Sequence, residues 1–337
     1  MLSGSLLQNT WLVGERLSYY SGSTGHSRSC CYRGADKAGT PVFIKAYDFR
    51  QNEIFGEIRE LSWLLREFIN EADILKQCRE NQLSRPVRLL ADGNTSIGGE
   101  TVHYLVCEFA SGGSVRDLMS LHPEELSTPY KLKLLKDTAA GLAQLHSRNI
   151  AHQDIKPSNV VIAGPKSAKI SDFGSASSSE LDASPHDSLP FVGEMQYAPY
   201  ERLYGQGGTW AQRRVACDLF LLGNLTFTLF VGVPFTPFVI SQLPEDLQPI
   251  KYSGKFTEIL PDLIREQSLI LPLFAEAKFP ELIREQLLVL ISELCNPDVS
   301  KRGHTRSRFS GAGQYGLERY ISAFNCLATR SEVHKVP

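Results

Sequence analysis

The chain carries almost no net charge, because 35 Lys and Arg stand against 37 Asp and Glu for a formal balance of −2. Its basic residues are scattered rather than massed, so neither nucleic acid nor an anionic membrane surface is expected as a partner. Cysteines number seven, and no two of them stand at C-x-x-C. An odd set without that spacing argues against a secreted disulfide framework and predicts a reducing, cytoplasmic setting. The eight histidines show neither H-E-x-x-H nor a Cys/His ligand spacing, so ordinary structural or surface roles are expected of all but His152. Met1 to Thr10 lacks the basic start and long apolar run of a secretory signal, and no secretion is expected. Long apolar runs are scarce too. The exception, Leu219 to Ile240, is uncharged, but Gly223, Asn224, Gly232, Pro234 and Pro237 interrupt it and no stop-transfer pattern flanks it. It predicts a buried core helix to about Val231, then a loop, with no membrane insertion. What remains is a soluble globular composition, 42% hydrophobic and 21% charged over 337 residues, long enough for two lobes and a sizeable core.

Residues 151 to 162 read Ala-His-Gln-Asp-Ile-Lys-Pro-Ser-Asn-Val-Val-Ile, which sets His152, Asp154, Lys156 and Asn159 at H-x-D-x-K-x-x-N against an apolar strand. Asp172-Phe173-Gly174 follows thirteen residues after Asn159. The two stretches together resemble the catalytic loop and metal-binding triplet of the protein kinase family. Phosphoryl transfer asks mainly for positioning and charge neutralisation, and the resemblance implies a division of that labour. Asp154 accepts the proton of an incoming hydroxyl, and Lys156 neutralises the γ-phosphate. Asn159 and Asp172 offer the hard oxygens that Mg2+ prefers.

Upstream, Trp11 to about Arg33 predicts two strands joined by Tyr20-Ser21-Gly22-Ser23-Thr24-Gly25. Gly22 and Gly25 are the expected phosphate-cradling positions, although Tyr20 and Ser27 depart from the family's G-x-G-x-x-G-x-V. Val42-Phe43-Ile44-Lys45 resembles the family strand V-A-I-K, which makes Lys45 the expected ligand of the α and β phosphates. Phe43 replaces the small residue that roofs adenine there. With Ser27 shrunk opposite, a volume-conserving exchange keeps room for the base. Apolar residues at Ile54, Ile58, Leu61, Leu65, Phe68, Ala72 and Leu75 predict an amphipathic helix. On its flank, Glu71 is the expected partner of Lys45, with Glu67 in reserve.

Strands are expected over Pro86 to Ala91 and His103 to Phe109, separated by a turn at Asp92-Gly93-Asn94 and a Gly98-Gly99 loop. Phe109 to Gly113 resembles the hinge between lobes. Backbone near Glu108 and Ala110 would then hold adenine, with Cys107 guarding the back of the pocket. Short and long helices are expected over Ser114 to Leu121 and Pro129 to Arg148. Gln153 stands where many family members carry arginine, which predicts weaker dependence on phosphorylation of the serine-rich stretch Ser175 to Ser188, read as a flexible loop. Gly193 to Glu201 is similar to the end of a kinase activation segment. Glu194 replaces a threonine there and Tyr200 a proline, so Glu194 is expected to face Lys156. Asp218 is expected to anchor the catalytic-loop backbone, and Arg302 to pair with Glu201. A last amphipathic helix over Gly316 to Leu327 precedes a frayed tail.

The resemblance implies an α+β bilobal kinase-like fold: residues 1–110 form an antiparallel sheet with one helix, 111–330 a mainly helical lobe, and 331–337 a flexible tail. It implies transfer of phosphate from ATP, with Mg2+, to a serine or threonine of a protein substrate. Two other readings stay open, a pseudokinase that binds nucleotide or scaffolds a partner, and a kinase of small molecules. Oligomeric state is not legible.

Overall fold

The structure is a computed structural model, and it describes residues 2–17, 29–47, 58–164, 167–181, 193–309 and 313–336. Six strands form the first sheet: β1 (Leu6–Leu7), β2 (Trp11–Arg16), β3 (Ser29–Ala35), β4 (Pro41–Tyr47), and, beyond helix α1 (Ile58–Glu80), β5 (Leu89–Ile97) and β6 (Glu100–Glu108). They lie in the order β1-β2-β3-β4-β6-β5, every neighbouring pair antiparallel. Period-two alternation decides what each face holds. In β4, Val42, Ile44 and Ala46 are buried in a small core with Val13, Tyr32 and Tyr104. Phe43, Lys45 and Tyr47 take the opposite face, where Phe43 and Tyr47 join the main core.

Two boundaries in this lobe differ from expectation. The hairpin between β5 and β6 turns at Gly98-Gly99, with φ of 61° and 87°, and Ile97 pairs with Glu100. Asp92-Gly93-Asn94, expected as a turn, is strand interior opposite Leu105, Tyr104 and His103. Gly93 is there for space, since a Cβ would stand 3.0 Å from the Tyr104 hydroxyl. The described part of α1 runs on to Glu80, and buried Cys78 extends the apolar stripe one step past Leu75.

The second lobe begins after β6 with α2 (Val115–Leu121), whose N-cap Ser114 and Asp117 form a reciprocal capping box. Then come α3 (Thr128–His146), β7 (Ile150–Ala151), the hairpin β8 (Val160–Gly164) and β9 (Ser167–Ile170), and β10 (Ser177–Ser178) paired with β7. Ser177 and Ser178 are therefore buried strand, not the flexible loop expected of Ser175 to Ser188. Backbone pairing continues as Ser179 donates to Asn149 O at 3.0 Å. Residues 182 to 188 of that stretch lie outside the described residues.

After α4 (Tyr200–Leu203) comes α5 (Ala216–Val231), ended by Gly232. Residues Ala211–Val231 are long and apolar enough to cross a membrane, yet 89% of an apolar 18-residue stretch within them is buried inside the protein. Helices α6 (Thr236–Gln242), α7 (Phe256–Lys278) and α8 (Arg284–Leu294) surround it. The last helix, α9 (Glu318–Val333), outruns the expected end at Leu327 and takes in the first three residues of the expected 331–337 tail. Its small residues Ala328 and Ser331 are buried, and Glu332 pairs with Lys133 of α3.

Candidate active site

The strand register aims Lys45 at the helix behind the sheet. Its Nζ lies 2.8 Å from Glu71 Oε2 on α1 and 2.9 Å from Asp172 Oδ1, 127 residues away in the other lobe. Glu71, rather than Glu67, is thus the α1 carboxylate on Lys45. Burial works against the ammonium, but Asp172 and Glu71 outweigh it and raise the Lys45 pKa well above its ordinary value. Tyr47, two residues along the same strand face, also donates its hydroxyl to Glu71 Oε2. Motif reading missed this residue, although its i+2 spacing from Lys45 was a usable signal.

The loop after β7 hangs from α5. Asp218, fully buried, accepts the amides of His152 at 2.8 Å and Gln153 at 2.7 Å, and the His146 ring at 2.8 Å. These bonds hold Gln153 at φ 65°, a left-handed conformation that a non-glycine residue keeps only when its surroundings impose it. The loop then presents Asp154, whose Oδ2 takes the Asn159 amide at 2.9 Å and the Lys156 ammonium at 3.0 Å. Burial raises the Asp154 pKa, and Lys156 opposes the shift.

Asp172 follows β9 at φ 63°. Burial would raise its pKa, but Lys45 overrides this and holds the carboxyl at about 2. Its side chain is still 40% exposed, so part of the ionised carboxylate stays accessible to a cation beside its bond to Lys45. The neighbouring Phe173 donates its amide to Glu71 Oε1 at 3.3 Å and sets its ring edge-on to His152 at 5.0 Å. Asn159 gives its amide nitrogen to the Asp154 carbonyl at 2.8 Å as well as to its carboxylate. That double commitment leaves Oδ1 on the other side of the amide, where Ser158 Oγ is its donor at 3.1 Å. A carboxylate and an amide oxygen are the hard donors that suit a divalent cation such as magnesium.

The hinge is pinned at its far end, since Gly112 donates to Ile162 O at 3.0 Å and Ile162 to Gly113 O at 2.9 Å. Glu108 donates its amide to Arg88 O at 3.0 Å, and its carboxylate accepts from the Lys169 ammonium. Ala110 packs half-buried against the main core. Phe43 faces Cys107 across the β4–β6 ladder. Gly22, Gly25 and Ser27 lie outside the described residues.

Gln153 has a role that its sequence position did not reveal. Its amide nitrogen donates to Ser175 O at 2.9 Å and Ser177 Oγ at 3.0 Å, while its oxygen accepts from Arg202 at 3.0 Å and from Arg214. A neutral side chain thereby ties the segment after Gly174 to two buried guanidinium groups. Past the undescribed residues, Gly193 lies against Asp154 at φ 96°. Glu194 is buried, with Oε2 3.6 Å from Lys156 Nζ and 3.7 Å from Arg116 Nη2. Glu201 meets Arg302 through two bonds of 2.7 and 2.8 Å, and both residues are buried. Tyr200 stacks edge-on against Phe220 and donates to Gln267 at 3.2 Å.

A family model of the protein kinase domain matches residues 22–309. Aurora/IPL1-related protein kinase 2 of Caenorhabditis elegans is 31% identical over 163 residues, 48% of this chain and 48% of that protein. The inhibitor of nuclear factor kappa-B kinase subunit alpha of Gallus gallus is 29% identical over 254 residues, 73% of this chain and 29% of that protein. Serine/threonine-protein kinases PknA of Corynebacterium glutamicum is 30% identical over 177 residues, 51% of this chain and 36% of that protein. The chain spans about half or less of the length of these relatives. Because the match from residue 22 to residue 309 takes in both lobes, the chain belongs to the protein kinase family.

Proposed function

We propose that the protein transfers the γ-phosphoryl group of ATP to a serine or threonine hydroxyl of a protein substrate. One observation carries this reading: Lys45, Glu71 and Asp172 form a connected ion-paired set across the two lobes, and Asp154, Lys156 and Asn159 form a second. Positioning of this kind supplies most of what phosphoryl transfer needs from a protein.

In this reading Asp154 orients the acceptor hydroxyl and takes its proton, and Lys156 offsets the charge of the phosphate in transit. Lys45, fixed by Glu71, steadies the α and β phosphates, with Gly22 and Gly25 assigned to the covering turn. The backbone of Glu108 and Ala110 is the proposed adenine contact. Asn159 and Asp172 would hold magnesium, which when bound neutralises charge on the phosphate oxygens. The Glu201–Arg302 pair, which braces the segment ahead of α5, supports a protein rather than a small-molecule substrate.

Seven cysteines, none of them joined in a disulfide, suit a reducing compartment, and we place the protein in the cytoplasm without membrane insertion or nucleic acid binding. A pseudokinase is the second reading, favoured by the Glu194 carboxylate beside Lys156. Labelled ATP with magnesium and a generic basic protein decides between them. Transfer by the wild type that is lost in both Asp154→Ala and Asp172→Ala supports the enzyme. Nucleotide binding without transfer supports the pseudokinase.

A further inference from the structure

Lys156 serves two carboxylates. Asp154 Oδ2 stands 3.0 Å from its ammonium and Glu194 Oε2 3.6 Å. In a working kinase, the reading on which this inference rests, Lys156 has a γ-phosphate to neutralise, and the second carboxylate lies beside the same ammonium. Glu194 Oε2 is buried and makes no hydrogen bond among the described residues, while Oε1 accepts from the Gln196 amide. A buried carboxylate oxygen held only by longer-range attraction is poorly compensated, and its counter-ions decide where it rests. Among the described residues it has two. Lys156 is enclosed, with 4% of its side chain exposed, whereas Arg116 at 3.7 Å is 38% exposed and sits at the outer edge, on the first turn of α2.

We propose that Glu194 is a positioning residue that holds the Lys156 ammonium away from phosphate until substrate arrives, and that Arg116 receives its carboxylate when Lys156 turns inward. A γ-phosphate and the Glu194 carboxylate compete for one ammonium, so they repel each other through the same site. The α and β phosphates, assigned to Lys45, do not enter this competition. Glu194 therefore acts on the γ-phosphate alone and sets the protein's preference between nucleoside triphosphate and diphosphate. Arg116 matters only while Glu194 is charged.

Nucleotide affinity in the presence of magnesium tests this without relying on turnover. A non-hydrolysable ATP analogue and ADP are titrated into wild type, Glu194→Gln, Arg116→Ala and the double variant. Glu194→Thr serves as a second replacement, and thermal unfolding checks that each protein is folded. Glu194→Gln and Glu194→Thr should bind the analogue about tenfold more tightly, with ADP changed by less than about twofold. Arg116→Ala should weaken analogue binding in wild type and leave the Glu194→Gln protein unaffected. Equal changes for both nucleotides, or none, overturn the proposal while leaving the kinase reading intact. Failure of every folded variant and the wild type to bind either nucleotide overturns the kinase reading and this proposal together.

Discussion

Gly193 passes so close to Asp154 that a Cβ at that position would lie 2.8 Å from the aspartate Oδ1. The residue also sits at φ 96°, where an L side chain is strained. Gly193→Ala should therefore cost about 1–3 kcal/mol of stability and displace the carboxylate that orients the hydroxyl. Urea unfolding should show the first effect. Phosphate transfer should collapse while nucleotide affinity stays near wild type, since Lys45 and Asp172 are untouched.

Arg302 and Glu201 make the most enclosed ion pair at the base of the segment, and Arg302 also donates to Ala216 O at 3.0 Å and Asn296 O at 3.0 Å. Removing one partner strands a buried charge, so Arg302→Met alone should destabilise by about 3–5 kcal/mol. Arg302→Met combined with Glu201→Leu should recover much of that loss. A double-mutant cycle in urea measures the coupling, and simple additivity would show that the pair is not a unit.

Asp172 has a depressed pKa of about 2 against an ordinary 3.8, so its contribution to stability is whole above the ordinary value and disappears as pH falls through about 2. In metal-free protein, Asp172→Asn should flatten the fall in stability across that window. Unfolding midpoints with a chelator present would reveal it. An unchanged slope would mean that Lys45 does not hold the carboxylate in solution.

Gln153 occupies, with neutral hydrogen bonds, the place between the segment and Arg202 and Arg214. Activity should then depend little on phosphorylation of the serine-rich stretch. Joint replacement of Ser179, Ser184 and Ser188 by alanine should keep transfer within about threefold of wild type. Ser177→Ala is different, because it removes a buried bond to Gln153 and should cost about 1 kcal/mol. Abolished activity in the triple variant would sink the first expectation.

Residues bound by chemistry were the most legible in the chain. Asp154, Lys156 and Asn159 stand at short spacings in one loop, and the structure brings all three into contact. The pairings of Lys45 with Glu71 and of Arg302 with Glu201 followed from motif order, and both are close contacts in the structure. Packing was harder to read. Gly93 looked like a turn residue, yet it is a strand position cleared for the Tyr104 ring, and only Gly98 and Gly99 take the left-handed conformations of the hairpin. Ala328 and Ser331 looked like a fraying end, but small side chains are what lets α9 lie close against α3. Gln153 was read by the charge it lacks, whereas its function in the fold comes from four partners brought together from distant parts of the chain.

The attachment of the loop after β7 to Asp218 also bears on how readily that loop opens. The amides of His152 and Gln153 are donated to a side chain on α5, the apolar helix buried at the centre of its lobe. Both amides are buried against an acceptor fixed in the core, so they should exchange with solvent far more slowly than amides of the exposed loops. The loop that carries Asp154 is thereby tied to the core rather than to the surface.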